Sequence, residues 1–307
     1  MMKRLPPHVL LVLAAIFWGG NFVIGRAVAN DVPPFILSFF RWVVAFFIML
    51  PLVWPNLKNE LPKIRKHFNI VLLSGLTGIA GFNTFVYIAL HYTTSINASL
   101  MNTTTPIVIF ILSYFFLQER LTHQQWIGAF LSLVGVLFLI SRGSLELIKT
   151  LSFNVGDILM LFAVLSWSVY SLLTKRYANE LPVNTTFFAT IAVGVVILFP
   201  FFLYEWLIKH ETVAWNVGTI SAILYVGIFA SVAAFLSWNS GVVKLGASKA
   251  GVFLNLVPLF AALFAVLFIG ETVTISQLVG ALFVLSGVFL ASKKRNAARS
   301  RNVSKHI

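Results

Sequence analysis

Polar and aromatic side chains recur at helical spacing inside the apolar segments of this 307-residue chain. Asn83 and Tyr87 lie four residues apart, which places both side chains on one face of a helix. Ser99 and Asn102 lie three residues apart in the next apolar segment. Hydroxyl and amide groups can hydrogen-bond a zwitterionic or amide-bearing solute, and aromatic rings can surround its apolar part. The spacing therefore predicts a solute cavity between helices.

The candidate substrate-binding residues are the polar and aromatic side chains on such helical faces. They are Trp18, Asn21, Asn83, Tyr87, Ser99, Asn102, Trp167, Tyr170, Trp238 and Asn255. The alternative for each polar residue is a hydrogen bond between helices, worth about 0.6–2 kcal/mol. For a single Ser or Thr the sequence favours that alternative. For Tyr87, Asn102 and Asn255 both interpretations stay open.

Five further residues are candidates for hinges or gates. Pro106 and Pro258 each remove a helical hydrogen bond, which creates either a hinge or a static kink. Arg41 is a cation within an apolar segment, and its candidate partner is Glu271; the alternative is snorkelling to the outer interface. Glu119 and Glu271 lie at the ends of apolar segments, where a capping or loop contact is the alternative to a gate.

Several kinds of chemistry are missing from the sequence. The chain has no Cys, which excludes disulfides, thiolate nucleophiles and zinc-thiolate sites. It contains neither a GxxxxGK[ST] loop nor an HExxH motif. The only aspartates, Asp31 and Asp157, lie at segment ends and lack the paired setting of an intramembrane aspartic protease. The sequence therefore predicts a protein that is not an enzyme and that needs neither cofactor nor metal.

The elements that carry these residues are apolar enough to lie in a bilayer. The chain is 59% hydrophobic and 10% charged, with a mean hydropathy of +0.93. Stretches of about 17–25 apolar residues can cross the hydrocarbon core, and spans of that length must be helices. The predicted spans are Val9–Val28, Phe35–Trp54, Phe68–Leu90, Ser95–Leu117, Gln125–Ile140, Gly156–Thr174, Thr185–Leu207, Gly218–Val242, Ala247–Ile269 and Ser276–Ala291.

The two halves of the chain repeat each other. An offset of 152 residues pairs Pro106 with Pro258 and Glu119 with Glu271, and an offset of 149 pairs Trp18 with Trp167. Each half holds five predicted spans, and because five is odd the second half enters the membrane inverted. The predicted fold is thus an all-α integral membrane protein with ten transmembrane helices in two inverted five-helix repeats. The repeats cover residues 9–141 and 155–291, and a basic tail covers 292–307.

The basic residues fall mainly on one side of this topology. With the N-terminus in the cytoplasm, 17 of the 22 Lys and Arg residues lie inside and four lie outside. The positive-inside rule then explains the net charge of +13 and predicts that both termini are cytoplasmic. The basic tail is expected to contact anionic lipid headgroups rather than nucleic acid. We therefore expect a multi-pass protein of the cell inner membrane.

Short motifs in the expected order resemble the EamA-type transporters of the drug/metabolite transporter superfamily. The first is Phe17-Trp18-Gly19-Gly20-Asn21-Phe22, and the second is Phe40-Arg41-Trp42 after Pro34-Phe35. The ends of the two repeats carry Glu119 and Gly128, and then Glu271 and Gly280. The resemblance covers residues 9–291 and implies ten helices and export of small metabolites, often amino acids. Gln118 departs from it, because Gly commonly precedes this Glu.

The combined prediction is a secondary transporter that moves small metabolites, such as amino acids, by alternating access. Inverted repeats are typical of such carriers. The alternatives are an intramembrane enzyme acting on a lipid-linked substrate, or a channel. The expected partners are a small-molecule solute and the lipid bilayer, with a monomer and a homodimer both open. The middle parts of the predicted spans contain no Asp or Glu, which predicts transport without obligatory proton coupling.

Overall fold

The fold is described from a computed structural model of the chain. It describes residues 5–28, 31–89, 92, 101–119, 122–141, 146, 154–269 and 274–292. Most of these residues lie in helices, and none of them lies in a β-strand. The all-helical class predicted from composition is therefore confirmed for the described part of the chain.

The helices are numbered here α1 to α10 in chain order. Several are α-helical segments joined end to end by π- or 3₁₀-helical turns. Their bounds are α1 Pro7–Ala27; α2 Pro34–Lys66; α3 Phe68–Ser74, Gly75–Gly81 and Phe82–Ala89; α4 Thr105–Leu117; α5 His123–Ser141; α6 Val155–Arg176; α7 Val183–Leu203 and Tyr204–Ile208; α8 Val217–Tyr225, Val226–Ala233 and Ala234–Leu245; α9 Ala247–Val252, Phe253–Asn255, Leu256–Phe264 and Ala265–Ile269; and α10 Ile275–Ser292. Among the described residues, seven helices are long and apolar enough to cross a membrane.

Helix α2 is longer than the sequence suggested. The predicted span Phe35–Trp54 covers only the first part of this helix, which continues to Lys66 through three internal prolines. A proline removes one backbone hydrogen bond, but it does not end a helix whose later turns are packed. Here Ile64 is buried in a small apolar cluster with Val71 and Leu181. Tertiary packing thus extends α2 beyond its membrane segment.

Helices α3 and α8 each contain a π-helical segment, and the two segments are repeat equivalents. Gly75 begins the one in α3, and Gly227 lies 152 residues later in the other. A Cβ atom on Gly75 would lie 2.6 Å from Val193 Cγ1, and one on Gly227 would lie 2.6 Å from Val44 Cγ1. Val44 and Val193 are themselves 149 residues apart. Both segments therefore press against equivalent positions of the opposite half.

Helices α5 and α10 form the most extensive pair. A Cβ atom on Gly128 would lie 2.5 Å from the carbonyl oxygen of Gly287, and one on Gly135 would lie 2.7 Å from that of Gly280. The order of these contacts makes the two helices antiparallel. Small residues let helix backbones approach closely within a membrane, where packing supplies most of the association energy.

The largest of the remaining helix contacts occur in reciprocal sets. Helix α3 packs against α6 and α7, while α8 packs against α1 and α2. Helix α4 packs against α6 as α9 packs against α1, and α2 packs against α7. Exchanging α1 to α5 for α6 to α10 therefore reproduces these contacts among the described residues.

Large apolar side chains cover the outside of this bundle. Phenylalanines are more than 60% exposed on several helices, among them Phe47, Phe115, Phe130, Phe268 and Phe289. A soluble protein rarely exposes so many large apolar groups, whereas hydrocarbon tails solvate them. The long apolar helices and this surface identify a multi-pass membrane protein.

Candidate solute-binding site

Four aromatic side chains from α1, α6 and α8 meet at the centre of the bundle. This central aromatic cluster consists of Trp18, Trp167, Phe235 and Trp238. The ring centroids of Trp18 and Trp167 are 5.2 Å apart, and each lies 5.7 Å from that of Trp238. Phe235 lies 5.2 Å from Trp167 and 5.7 Å from Trp18, edge to face in both cases. The structure thus brings together three predicted site residues that are far apart in sequence.

Buried indole N–H groups in and beside the cluster lack protein partners. Those of Trp42, Trp167 and Trp238 have no acceptor among the described residues. By contrast, Trp18 Nε1 donates to the carbonyl oxygen of Ala230, at 3.0 Å, in the π-helical segment of α8. A buried donor without an acceptor is unfavourable by about 1–3 kcal/mol. The three free N–H groups could therefore donate to a solute held among these rings.

Tyr170 extends the cluster toward α7. Its ring lies 5.4 Å from that of Trp167, and its hydroxyl donates to Asn239 Oδ1 at 3.0 Å. Both side chains are buried. Gly78 makes room for this ring, because a Cβ atom there would lie 2.3 Å from Tyr170 Cδ2. Asn239 was not among the candidate site residues, although it follows Trp238 directly in the sequence.

The other candidate amides make local or interhelical contacts. Asn83 Nδ2 donates to the carbonyl oxygen of Ile79, at 2.7 Å, one turn earlier in α3. Asn102 accepts through its backbone and side-chain oxygens from Thr105 Oγ1. Asn255 Nδ2 donates to Ser132 Oγ on α5 at 2.7 Å, and its Oδ1 has no partner in the described part. These hydrogen bonds within and between helices match the alternative to solute binding that the sequence left open.

Asn21 lies one turn beyond Trp18 on α1 and is half-buried. It keeps the position on the helix face that the spacing predicted. No hydrogen bond of its side chain is found within the described residues.

Arg41 is buried rather than directed at the membrane surface. Its side chain is 3% exposed, its Nε donates to Ser231 Oγ at 2.8 Å, and its Cζ lies 5.4 Å from the Trp42 ring centroid. Ser231 belongs to the π-helical segment of α8. A buried guanidinium beside this segment is a functional candidate, since intramembrane cations are costly. The predicted partner Glu271 lies outside the described residues.

The two candidate hinge prolines follow breaks in their helices. Pro106 lies in the first turn of α4, after the turn at Thr103 and Thr104. Pro258 follows the 3₁₀-helical turn Phe253–Asn255 of α9. The two breaks lie at equivalent positions of the repeat. Both a moving hinge and a fixed kink are compatible with this geometry.

Glu119 contacts the start of α9. Its Oε2 accepts from the backbone N–H of Ser248 at 3.3 Å, in the first turn of that helix. A carboxylate at a helix N-terminus is favourable because it meets unpaired N–H groups and the positive end of the helix dipole. Glu119 therefore has the capping contact that was the alternative to a gate.

Two of the candidate positions are not described. Ser99 and Glu271 lie outside the described residues, and Tyr87 lies in α3 with its side chain outside them. Among the described residues no group of three His, Asp or Glu could hold a metal ion.

Glu205 is a buried carboxylate that the sequence reasoning missed. It lies near the end of α7, is 3% exposed, and its Oε2 accepts from the backbone N–H groups of Phe35 and Ile36, both at 3.0 Å. At the opposite end of the same helix pair, Glu60 accepts from Thr185 Oγ1. The signal in the sequence was an acidic residue inside the predicted span Thr185–Leu207.

The sequence is similar to a transporter family and to proteins named as uncharacterized transporters. The profile of the EamA-like transporter family matches residues 5–141 and 154–293. An uncharacterized transporter of Bacillus subtilis (strain 168), YyaM, is 30% identical over 95% of each chain. An uncharacterized transporter of Archaeoglobus fulgidus is 29% identical, over 94% of this chain and 98% of its own.

A solved protein structure has the same fold. It superposes with a TM-score of 0.77 over 93% of this chain and 96% of its own, at 21% identity.

Proposed function

Because the chain belongs to the EamA-like transporter family, we propose that it moves small metabolites, amino acids or related compounds, across the bacterial inner membrane, chiefly as an exporter. The observation that carries the proposal is the central aromatic cluster. It joins Trp18 of one family match to Trp167 and Trp238 of the other. A solute held there contacts both halves and is exposed to either side when the halves move.

The mechanism we propose is alternating access between two inverted five-helix repeats, with ten transmembrane helices. The reciprocal helix contacts support it, because they survive exchange of the two halves. The contacts of Gly75 with Val193 and of Gly227 with Val44 also support it, because they occupy equivalent positions in the two halves. Inverted repeats give a carrier two related conformations of similar free energy, one open to each side.

Aromatic rings and donor groups suggest how the solute is held. The rings of the cluster surround an apolar part, and the free N–H groups of Trp167 and Trp238 donate to its oxygen atoms. Arg41, buried on α2 beside the π-helical segment of α8, is the proposed contact for a carboxylate or the proposed gate residue. Tyr87, Ser99, Asn102 and Asn255 remain proposed members of the path.

The test is solute counterflow in proteoliposomes without a pH gradient. Vesicles preloaded with one unlabelled amino acid at a time should take up the same labelled compound for at least one member of the panel. Trp238→Ala should weaken uptake about tenfold, since an anchor worth about 1.4 kcal/mol changes affinity by that factor. Trp54→Ala is the matched control, because Trp54 is 67% exposed. No counterflow for amino acids or related metabolites would contradict the proposal.

We also propose that transport does not require protons. Glu205 lies inside a span, but both its contacts are with the start of α2. Accumulation driven by a proton gradient alone, and abolished by Glu119→Gln, Glu205→Gln or Glu271→Gln, would contradict this part and identify the coupling residue.

A further inference from the structure

A second polar site lies beside the aromatic cluster, between α3, α6, α7 and α8. This crevice is partly open and has a volume of about 30 Å³. The polar residues of its lining are Ser74, Tyr170, Thr174, Tyr177, Thr186, Thr190 and Asn239. Among the residues that the structure describes, no charged side chain contributes to the lining. Because Tyr170 and Phe187 line the crevice and also contact Trp167 or Phe235, the crevice adjoins the cluster.

Hydrogen-bonding groups of the crevice are incompletely used within the protein. Thr186 Oγ1 is buried and has no partner among the described residues. Thr190 Oγ1 and Thr174 Oγ1 are instead bonded to carbonyl oxygens one turn earlier in their own helices. The Tyr170–Asn239 bond uses the side-chain oxygen of Asn239 and leaves its amide group as a donor. A buried hydroxyl such as that of Thr186 is stabilised when a bound group supplies its partner.

Four lining residues of the crevice have apolar equivalents in the other half, whereas Tyr170 corresponds to Asn21 and Thr190 to Arg41. Offsets of 149 and 152 residues relate Tyr177 to Val28, Leu181 to Val32, Thr186 to Leu37, and Ile70 to Ala222. The four residues Val28, Val32, Leu37 and Ala222 all belong to one buried cluster. In the proposed topology that cluster lies on the outer side and the crevice on the cytoplasmic side. At these four positions the outer cluster is wholly apolar, whereas the crevice carries the hydroxyls of Tyr177 and Thr186.

We propose that the crevice is a subsite for an uncharged, hydrogen-bonding group of the transported solute, such as a hydroxyl or an amide. The Thr186 hydroxyl is the contact that selects this group. A carboxylate or ammonium group is disfavoured there, because burying it without a countercharge is costly. The assignment rests on the proposed transport function, since it makes the crevice the cytoplasmic part of the solute path.

The experiment uses the absence of cysteine in the chain. Thr174→Cys provides a single thiol in the half-buried part of the lining, and its reaction with N-ethylmaleimide is followed in nanodiscs. The probes are isobutyramide, isobutyrate and isobutylammonium, which are similar in shape and differ in charge. At twice its dissociation constant, isobutyramide should slow labelling about threefold. The two ions should leave the rate unchanged.

A second variant tests whether the Thr186 hydroxyl is the group that contacts isobutyramide. Thr186→Val, which keeps the shape and removes the hydroxyl, should abolish protection by isobutyramide in the Thr174→Cys background. Thr77→Val is the control, because its exposed hydroxyl bonds to Leu73 outside the crevice. Equal protection by the ions, unchanged protection in Thr186→Val, or an unreactive Thr174→Cys would each overturn the proposal.

The labelling assay is independent of transport. Charge-selective protection without counterflow for any solute would contradict the transport function and leave the binding site in place. Counterflow without protection would contradict the crevice alone.

Discussion

Single residues in unusual settings mark the points where this fold is held together. Gln118 ends α4 with φ +55°, in the left-handed region that favours glycine. Glu205 is buried and satisfies two backbone N–H groups at the start of α2. Both residues lie where a helix begins or ends, and backbone N–H and C=O groups at such positions have no partner within the helix.

Gln118→Gly should stabilise the protein. The left-handed conformation costs a residue with a Cβ atom about 1–2 kcal/mol, part of which is offset by the greater freedom of glycine in the unfolded chain. We expect a gain of about 0.5–1 kcal/mol, measured as a higher Tm in detergent. Gln124→Gly, in the first turn of α5, is the control and should destabilise. A lower Tm for Gln118→Gly would mean that its side chain has a role of its own.

Glu205→Ala should destabilise the protein strongly. It removes the charged acceptor of two N–H groups, and hydrogen bonds to a charged group contribute about 1.5–3 kcal/mol. Glu205→Gln keeps one oxygen acceptor and should lose less. The measurement is thermal unfolding, with the exposed Glu211→Ala as the control. Equal Tm values for Glu205→Ala and Glu211→Ala would contradict the capping role.

The sequence indicated these two residues to different degrees. Gln118 was noticed because glycine is common there, and the positive φ explains that preference. Glu205 was overlooked because its partners Phe35 and Ile36 lie about 170 residues away, so only the tertiary fold reveals the contact. Trp18 and Trp167 were predictable as a pair, since the repeat marks them as equivalents.

At the scale of helices, close backbone contact and π-helical turns shape the bundle. The glycines of α5 and α10 could be located from the sequence, because the repeat pairs Gly128 with Gly280 and Gly135 with Gly287. The π-helical segments of α3 and α8 could not, since an extra residue in one turn shifts the helical periodicity on which prediction depends. The length of α2 was also underestimated, because packing against other helices keeps it helical beyond its prolines, and the sequence alone does not show that packing.

Gly287→Ala should destabilise the α5–α10 pair. Its new methyl group would lie 2.5 Å from both the carbonyl oxygen of Gly128 and the backbone nitrogen of Ser132. Overpacking of this kind typically costs about 1–3 kcal/mol. Gly25→Ala is the matched control on α1, where a Cβ atom has no neighbour within 4 Å among the described residues. Thermal unfolding of the two variants in the same detergent should separate them clearly, and similar Tm values would contradict tight packing.

At the scale of the whole molecule, hydrophobicity and charge act together. The apolar exterior confirms the membrane class that composition predicted, whereas the orientation of the chain depends on the asymmetry of Lys and Arg. The solute cannot be derived from the sequence, because it depends on the shape and free hydrogen-bonding groups of a cavity between helices.

Single cysteines should reveal the orientation of the chain. We expect Asn59→Cys to react with an impermeant maleimide only in inside-out vesicles, and Thr212→Cys only in right-side-out vesicles. Both positions are exposed, Asn59 in the last turns of α2 and Thr212 in the segment between α7 and α8. The cysteine-free chain is the blank. The reverse pattern would place the termini outside and contradict the positive-inside assignment.

The crossed contacts of α5 and α10 have an evolutionary consequence. Gly128 meets Gly287 and Gly135 meets Gly280, so each half ends in a helix that fits an inverted copy of itself. A gene encoding one half alone would yield a polypeptide able to dimerise with its own product, provided that copies inserted in both orientations. When two such genes are joined, each half of the product needs to insert in one orientation only. Pairs such as Arg41 and Thr190, which the 149-residue offset relates, are then free to specialise.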